Sequence, residues 1–189
     1  MKTATGTTLI CNGQIIDGNG TAPVPDAALE LLLQRDVSMV PGLGFELKSI
    51  EHGPEWKLSQ RVIDGHQETL EAGAESCRKV LKAGGRLGLG GGYGFAWTPH
   101  GTYAQELTFF VNNVGFSVLD TIRFATRGGA EVMGRADELG TLEAGKLADV
   151  LIVDGDVARD ISILEDRSRF IAVMQGGVVG AGRLTQPAA

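Results

Sequence analysis

Histidine is scarce in this chain. Three occur in 189 residues, at His52, His66 and His100, and no two stand close enough to share a helical turn. A catalytic zinc takes three protein ligands, drawn from short local spacings plus one distant donor. That spacing is absent, so no metal ligand is assigned from the residues alone. Cysteine is scarcer still: Cys11 and Cys77 form no CxxC pair. They read as two reduced thiols without a disulfide framework. Basic residues fall short of acidic ones, 17 against 23, for a net charge of −6. A non-specific nucleic-acid binder needs the opposite balance. No apolar run approaches the roughly 18 residues of a membrane span. The opening "MKTATGTTLICNGQ" lacks the apolar core of a secretory signal, and a cytoplasmic location is the expectation.

Glycine is what the chain has in plenty, at 28 residues. Many tight turns are therefore expected. "TLICNGQIID" reads as a hairpin about Asn12-Gly13, because both central positions of such a turn want positive φ. "RFIAVMQGGVVGAG" reads as a second hairpin, turning at Gly176-Gly177. Between these ends the pattern changes from alternation to a helical period. Asp26 is placed to cap a helix carrying Leu29, Leu32 and Leu33 on one face. "VSMVP" reads as a short buried strand closed by Pro41, and "GLGFELKSIEHGPEWKLSQ" as irregular or weakly helical. Leu70, Ala74, Cys77 and Leu81 recur at three- and four-residue steps, which predicts a helix over 64–82 ended by Gly84-Gly85.

"RLGLG" is the next expected strand. A helix over 103–114 follows, with Leu107, Phe110, Val111 and Val114 facing inward and Gly115 stopping it. Ser117 with Asp120 marks a capping box, and Ile122 and Ala125 are the expected inner face beyond it. "ADVLIVD" reads as a buried strand, with Asp149 at its start in a structural role. The expected class is α/β, with strands at both ends and an α/β middle. The economical arrangement joins both ends in one small β-sandwich, 1–27 with 140–189, beside a middle segment of 28–139.

The stretch "GTLEAGKLADVLIVDGDVARDISILEDRSRFIAVMQGGVVG" resembles the C-terminal segment of the metal-dependent amidohydrolases. "TLICNGQIIDGNGTAPVPDAAL" is similar to their N-terminal segment. "LGLGGGYGFAWTPHGTYAQELTFFVNNVGFSVLDTIRFATRGGAEVMG" resembles their last barrel strand and the helices after it. The nearest branch is that of the imidazolonepropionase-like and Xaa-Pro dipeptidase-like hydrolases. The resemblance implies a (β/α)₈ barrel holding zinc, a β-sandwich built from both chain ends, and hydrolysis of carbon–nitrogen bonds in a small amide.

The departures from the family pattern are large. The family's His-x-His pair after the N-terminal strands, its lysine and its two further histidines have no counterparts here. "VPDAAL" leads directly into material the family carries near strand six, which puts a join around Ala27 to Leu31. A closed barrel takes about 200 residues or more. Residues 28–139 have room for three or four βα units at roughly 30 residues each. The segment is therefore expected to be an incomplete barrel.

The family's last barrel strand ends in an aspartate that touches the metal and carries the proton. Aligning "GGGYG" puts Gly92 at that position. A glycine cannot transfer a proton, so no catalytic residue is assigned. The glycines are not a dinucleotide fingerprint either, since Pro99 and Gly101 interrupt the helix that would have to follow. Tyr93 and His100, with Trp97 between them, are the candidate substrate-binding residues. The competing reading is a loop that packs its aromatics over the strand mouth. His66 is expected to face solvent or cap a helix, and His52 to lie in a loop.

Two functions follow. One is an amidohydrolase-like hydrolase, impaired or inactive as a single chain. The other is a shortened, non-catalytic relative that acts by association. Strand edges and helix faces left without barrel neighbours predict self-association, as a two-fold dimer.

Overall fold

The computed structural model describes residues 25–184, which divide into two compact units at the boundary between His100 and Gly101. The Asn12-Gly13 hairpin and Cys11 lie outside the described residues.

In the first unit, helix α1 spans Asp26–Gln34. Pro25, with extended backbone, holds the position before it, and Asp26 sits inside the first turn without a capping hydrogen bond. Asp26 thus faces the helix dipole rather than closing the helix end. The helix ends at Asp36, which takes a left-handed φ of 52°. Arg86 reaches the carboxylate of Asp36 at 3.0 Å. Strand β1 (Ser38–Met39) follows and pairs in parallel with β2 (Arg86–Leu87), Ser38 opposite Arg86 and Met39 opposite Leu87.

Two helices cross between these strands. Helix α2 covers Leu43–His52, a stretch expected to be irregular or weakly helical. Its start carries no side-chain cap. Packing sustains it instead: Leu43 is buried in the notch left by Gly73, where a Cβ would meet its Cδ2 at 2.4 Å. Ser49, wholly buried, satisfies its hydroxyl by donating to the Phe45 carbonyl at 2.8 Å.

Helix α3 runs Gln60–Lys82 and starts four residues before its sequence expectation. Ala74, Cys77 and Val80 form its buried stripe, with Cys77 and Val80 wholly enclosed. Gly84, at φ 81°, ends it, and the Gly85 amide closes on the Val80 carbonyl at 2.8 Å. The result is one βαβ crossover with a double helical connection. Three or four βα units were expected; the described residues supply two parallel strands, where a closed barrel has eight.

The second unit opens with helix α4 (Gln105–Phe109), which widens into a π turn over Phe110–Val114 and stops at Gly115, at φ 86°. Ser117 then caps α5 (Val118–Arg123). Its Oγ accepts from the Asp120 amide at 3.1 Å and donates to the Asp120 carboxylate at 2.7 Å. A second π turn (Phe124–Gly128) leads into α6 (Gly129–Val132). Phe109, Phe110, Phe116 and Phe124 form a chain of ring contacts, 5.4 to 6.1 Å between neighbouring centroids. Thr121 and Phe124 are the buried residues here, while Ile122 and Ala125 are half-buried.

Strands β3 (Val150–Val153), β4 (Phe170–Gln175) and β5 (Val178–Ala181) form an antiparallel sheet in that order. Gly176 and Gly177 turn the last hairpin with φ of 56° and 82°, the double positive φ of a two-residue turn. Asp149 accepts from the Gly176 amide at 2.7 Å, which confirms its structural part. β3 differs from expectation. Leu151 and Ile152 are exposed, and among the described residues β3 stands at the edge of a three-stranded sheet. Leu151 and its register partner Val173 together present an exposed apolar face.

Candidate functional site

Parallel strands deliver their functional loops at their carboxyl ends. In the first unit those ends are Met39 and Leu87. The loop after β2, residues 88–101, is the glycine-rich stretch. Gly90 stands under Val40: a Cβ there would meet Cγ1 at 2.6 Å. Gly94 takes φ 98°, and the His100 ring lies over it, with Nε2 3.1 Å from where its Cβ would stand. Gly92 obeys neither constraint. Its φ is not positive, and a Cβ there would find the Phe45 side chain at 3.4 Å, an ordinary contact. A Cβ is accommodated at Gly92 without backbone strain.

The sequence-predicted residues occupy this loop in different ways. Tyr93 is half-buried, whereas His100 is exposed at the loop's far end. What surrounds them is aromatic. Phe45, from the first turn of α2, is the hub: its ring lies 4.9 Å from Phe95, 6.1 Å from Trp97 and 6.0 Å from the His66 imidazole. Trp56 approaches Trp97 at 5.7 Å, and Phe95 stacks on Trp97 at 6.5 Å with 20° between planes. The rings Trp56 and Phe95 are about half exposed, at 54% and 51%.

Two polar atoms in the Phe95–Thr98 turn are buried without a partner among the described residues, the indole nitrogen of Trp97 and the hydroxyl of Thr98. Each such group costs about 1–3 kcal/mol when left unpaired.

His66 corrects its expectation. Because α3 begins at Gln60, His66 stands in the second turn rather than at the helix end. Its Nδ1 meets the Glu46 carboxylate at 2.5 Å, with both side chains mostly enclosed. His52 is the last residue of α2, not a loop residue, and its Nδ1 lies 3.4 Å from Glu55. The three histidines are thus spread over two helices and a loop. Among the described residues, no three His, Cys, Asp or Glu side chains gather as a metal requires. The zinc that the resemblance implies therefore has no fitting donor set in the described residues, and no chemical step is derived through it. The Glu46–His66 pair escaped sequence reasoning because its members lie 20 residues apart on two helices. Their packing, not their spacing, brings them together.

The amidohydrolase family model matches residues 22–180. The chain belongs to the amidohydrolase family. A Schizosaccharomyces pombe protein named probable guanine deaminase is 34% identical over 95 residues, covering 45% of this chain and 18% of that one. Among solved structures, a prolidase complexed with N-methylphosphonate-L-proline is similar with a TM-score of 0.69 at 25% identity, over 82% of this chain and 38% of the prolidase. The A. niger ochratoxinase shares the fold at 23% identity, with a TM-score of 0.70 over 85% of this chain and 36% of its own. This family member thus spans less than half the length of those relatives. Among its described residues, no helix is long and apolar enough to cross a membrane.

Proposed function

We propose that this amidohydrolase-family chain belongs to a hydrolase of carbon–nitrogen bonds, acts on a small amide, and is impaired or inactive alone. The observation that carries the impairment is Gly92. It stands in the loop after β2, where the family places a proton-carrying aspartate, and neither backbone strain nor crowding requires a glycine there. Hydrolysis of an amide needs a group that takes a proton from water and another that protonates the leaving nitrogen. Gly92 offers neither. The likeness to the prolidase and the guanine deaminase supports carbon–nitrogen chemistry for the whole enzyme. In this reading Tyr93 and His100 line the substrate side of the mouth.

The test is hydrolysis of acyl-proline dipeptides and aryl amides by the purified chain, with and without added zinc. The wild-type chain should run near background, and where residual turnover is measured, Gly92→Asp should raise it. Zinc-dependent turnover by the wild type that a chelator abolishes would overturn the impairment. No gain from Gly92→Asp would count against the placement of Gly92.

A second reading, a shortened relative acting by association, is favoured by the exposed apolar residues Leu31, Leu33 and Val62 of the first unit. The proposal here is a two-fold dimer, with both chain ends sharing a β-sandwich beside the barrel segment and the protein in the cytoplasm. Sedimentation at micromolar concentration checks the dimer. A single-chain mass without concentration dependence removes it.

A further inference from the structure

The aromatic cluster at the mouth has more built into it than packing requires. Ring surface is left open on Trp56 and Phe95, although large apolar side chains bury readily where a core is available. Directly behind them, Trp97 and Thr98 each hold a buried polar atom with no partner among the described residues. Thr98 as a whole is only 5% exposed, so water does not serve its hydroxyl freely. Aromatic walls with a few convergent polar groups are the usual make-up of a small-molecule site. The rings receive an apolar body, and the indole N–H asks for an acceptor. Two carboxylates adjoin the cluster in sequence, and each has a partner: Glu46, beside Phe45, is engaged by His66, and Glu55, beside Trp56, lies 3.4 Å from His52. A neutral ligand is therefore favoured over a cation.

We propose that Trp56, Phe95 and Trp97 form a binding site for a neutral aryl amide. The aryl ring seats against the open faces of Trp56 and Phe95, and the Trp97 N–H donates to the carbonyl oxygen. The Trp97 nitrogen is closed to solvent, so the oxygen reaches it through rotation of one of the two exposed rings. Side chains with that much open surface change rotamer readily. The inference names a ligand class for the mouth described above and rests on reading that mouth as the substrate side.

Both tryptophans of the chain belong to this cluster, so fluorescence excited selectively at tryptophan, beyond the absorption of Tyr93 and Tyr103, reports on the site. The probe is benzamide, titrated into the full chain. Cyclohexanecarboxamide keeps the acceptor without the aromatic ring, and benzylamine keeps the ring with a cation and no acceptor. Benzamide should give a saturable change, with both controls at least ten-fold weaker. Trp97→Phe keeps a ring and removes the donor, and Trp56 remains as reporter. It should weaken benzamide at least ten-fold. Should Trp97→Phe fold poorly, Thr98→Val tests the same wall, with a smaller loss expected.

No saturable change with benzamide, equal binding by cyclohexanecarboxamide or benzylamine, or full binding by a well-folded Trp97→Phe would each overturn the proposal. The hydrolase reading fails separately. Benzamide that binds without being cleaved by Gly92→Asp supports the site and counts against the hydrolase. Cleavage of an aliphatic amide without benzamide binding does the reverse.

Discussion

Two glycine clusters in this molecule look alike in sequence and differ in cause. At Gly176-Gly177 both residues take positive φ, and the turn of the β4–β5 hairpin exists only because they do. In the mouth after β2, Gly94 and Gly101 also need positive φ, and Gly90 has no room for a Cβ. Gly92, between them, has room and an ordinary backbone. A glycine that the fold demands carries no message about chemistry. A glycine that the fold does not demand, as at Gly42, Gly65, Gly129 and Gly92, leaves a position open to substitution. This contrast sets Gly92 apart from the turn glycines, and the proposed impairment rests on it.

The contrast can be broken by substitution. The largest effect is expected at Gly140, which has φ 89° and whose Cβ would meet Ala130 at 2.7 Å and the Arg127 backbone at 2.9 Å. Gly140→Ala should cost about 3 kcal/mol in denaturant unfolding, combining left-handed strain with overpacking. A loss under about 1 kcal/mol would mean that the loop yields, and that demanded glycines are fewer than the backbone suggests. Gly177→Ala comes next. Its φ of 82° is costly, but the nearest side chain stands 3.9 Å away, so only the backbone term of about 1–2 kcal/mol applies.

Acid sharpens the comparison between the two units. Asp160 and Asp166 each cap a short 3₁₀ turn, by accepting from the hydroxyl and amide of Ser162 and of Ser168. These hydrogen bonds hold both carboxyls below the ordinary value of 3.8, and the Arg183 hydrogen bond does the same for Asp154. A depressed carboxylate stabilises the fold above its unfolded pKa, and that contribution fades as pH falls through the lower folded value. Acidification below about pH 4 should therefore loosen 160–169 in the second unit. Hydrogen exchange read by mass spectrometry checks this. Asp160→Asn with Asp166→Asn should flatten the acid response of that segment, and an unchanged response would remove the caps as its cause.

The smallest effect is expected at Gly92. Gly92→Ala should change stability by no more than about 0.5 kcal/mol in the same unfolding measurement, since it adds an ordinary contact with Phe45. A large loss there would put Gly92 back among the structural glycines and take away the observation on which the proposed impairment rests.

Where a local rule decided the structure, the sequence was legible. The capping box at Ser117, the stop at Gly115 and the hairpin at Gly176-Gly177 all depend on neighbours within a few residues. Of the expected α3 face, Ala74 and Cys77 are buried, whereas Leu70 and Leu81 are half-buried and Val80 is enclosed instead. Where distant packing decided, it was not. Helix α2 has no cap and forms because Leu43 finds the notch at Gly73, thirty residues on in the chain. The Glu46–His66 pair needs the same two helices side by side. The exposure of Leu151 and Ile152 depends on what packs over β3, which an apolar run does not disclose. At the candidate site the loop and its glycines were legible, while the aromatic hub on Phe45 and the unpartnered groups of Trp97 and Thr98 were matters of contact.

The thiol of Cys77 lies at the centre of the α3 stripe with no exposed surface. An alkylating reagent can reach that sulfur only while the helix has left its bed. In a Cys11→Ser background, the rate of labelling therefore becomes a clock for how often the first unit opens. It reads that motion without reference to any ligand or reaction, and a molecule that settles at the mouth should slow it.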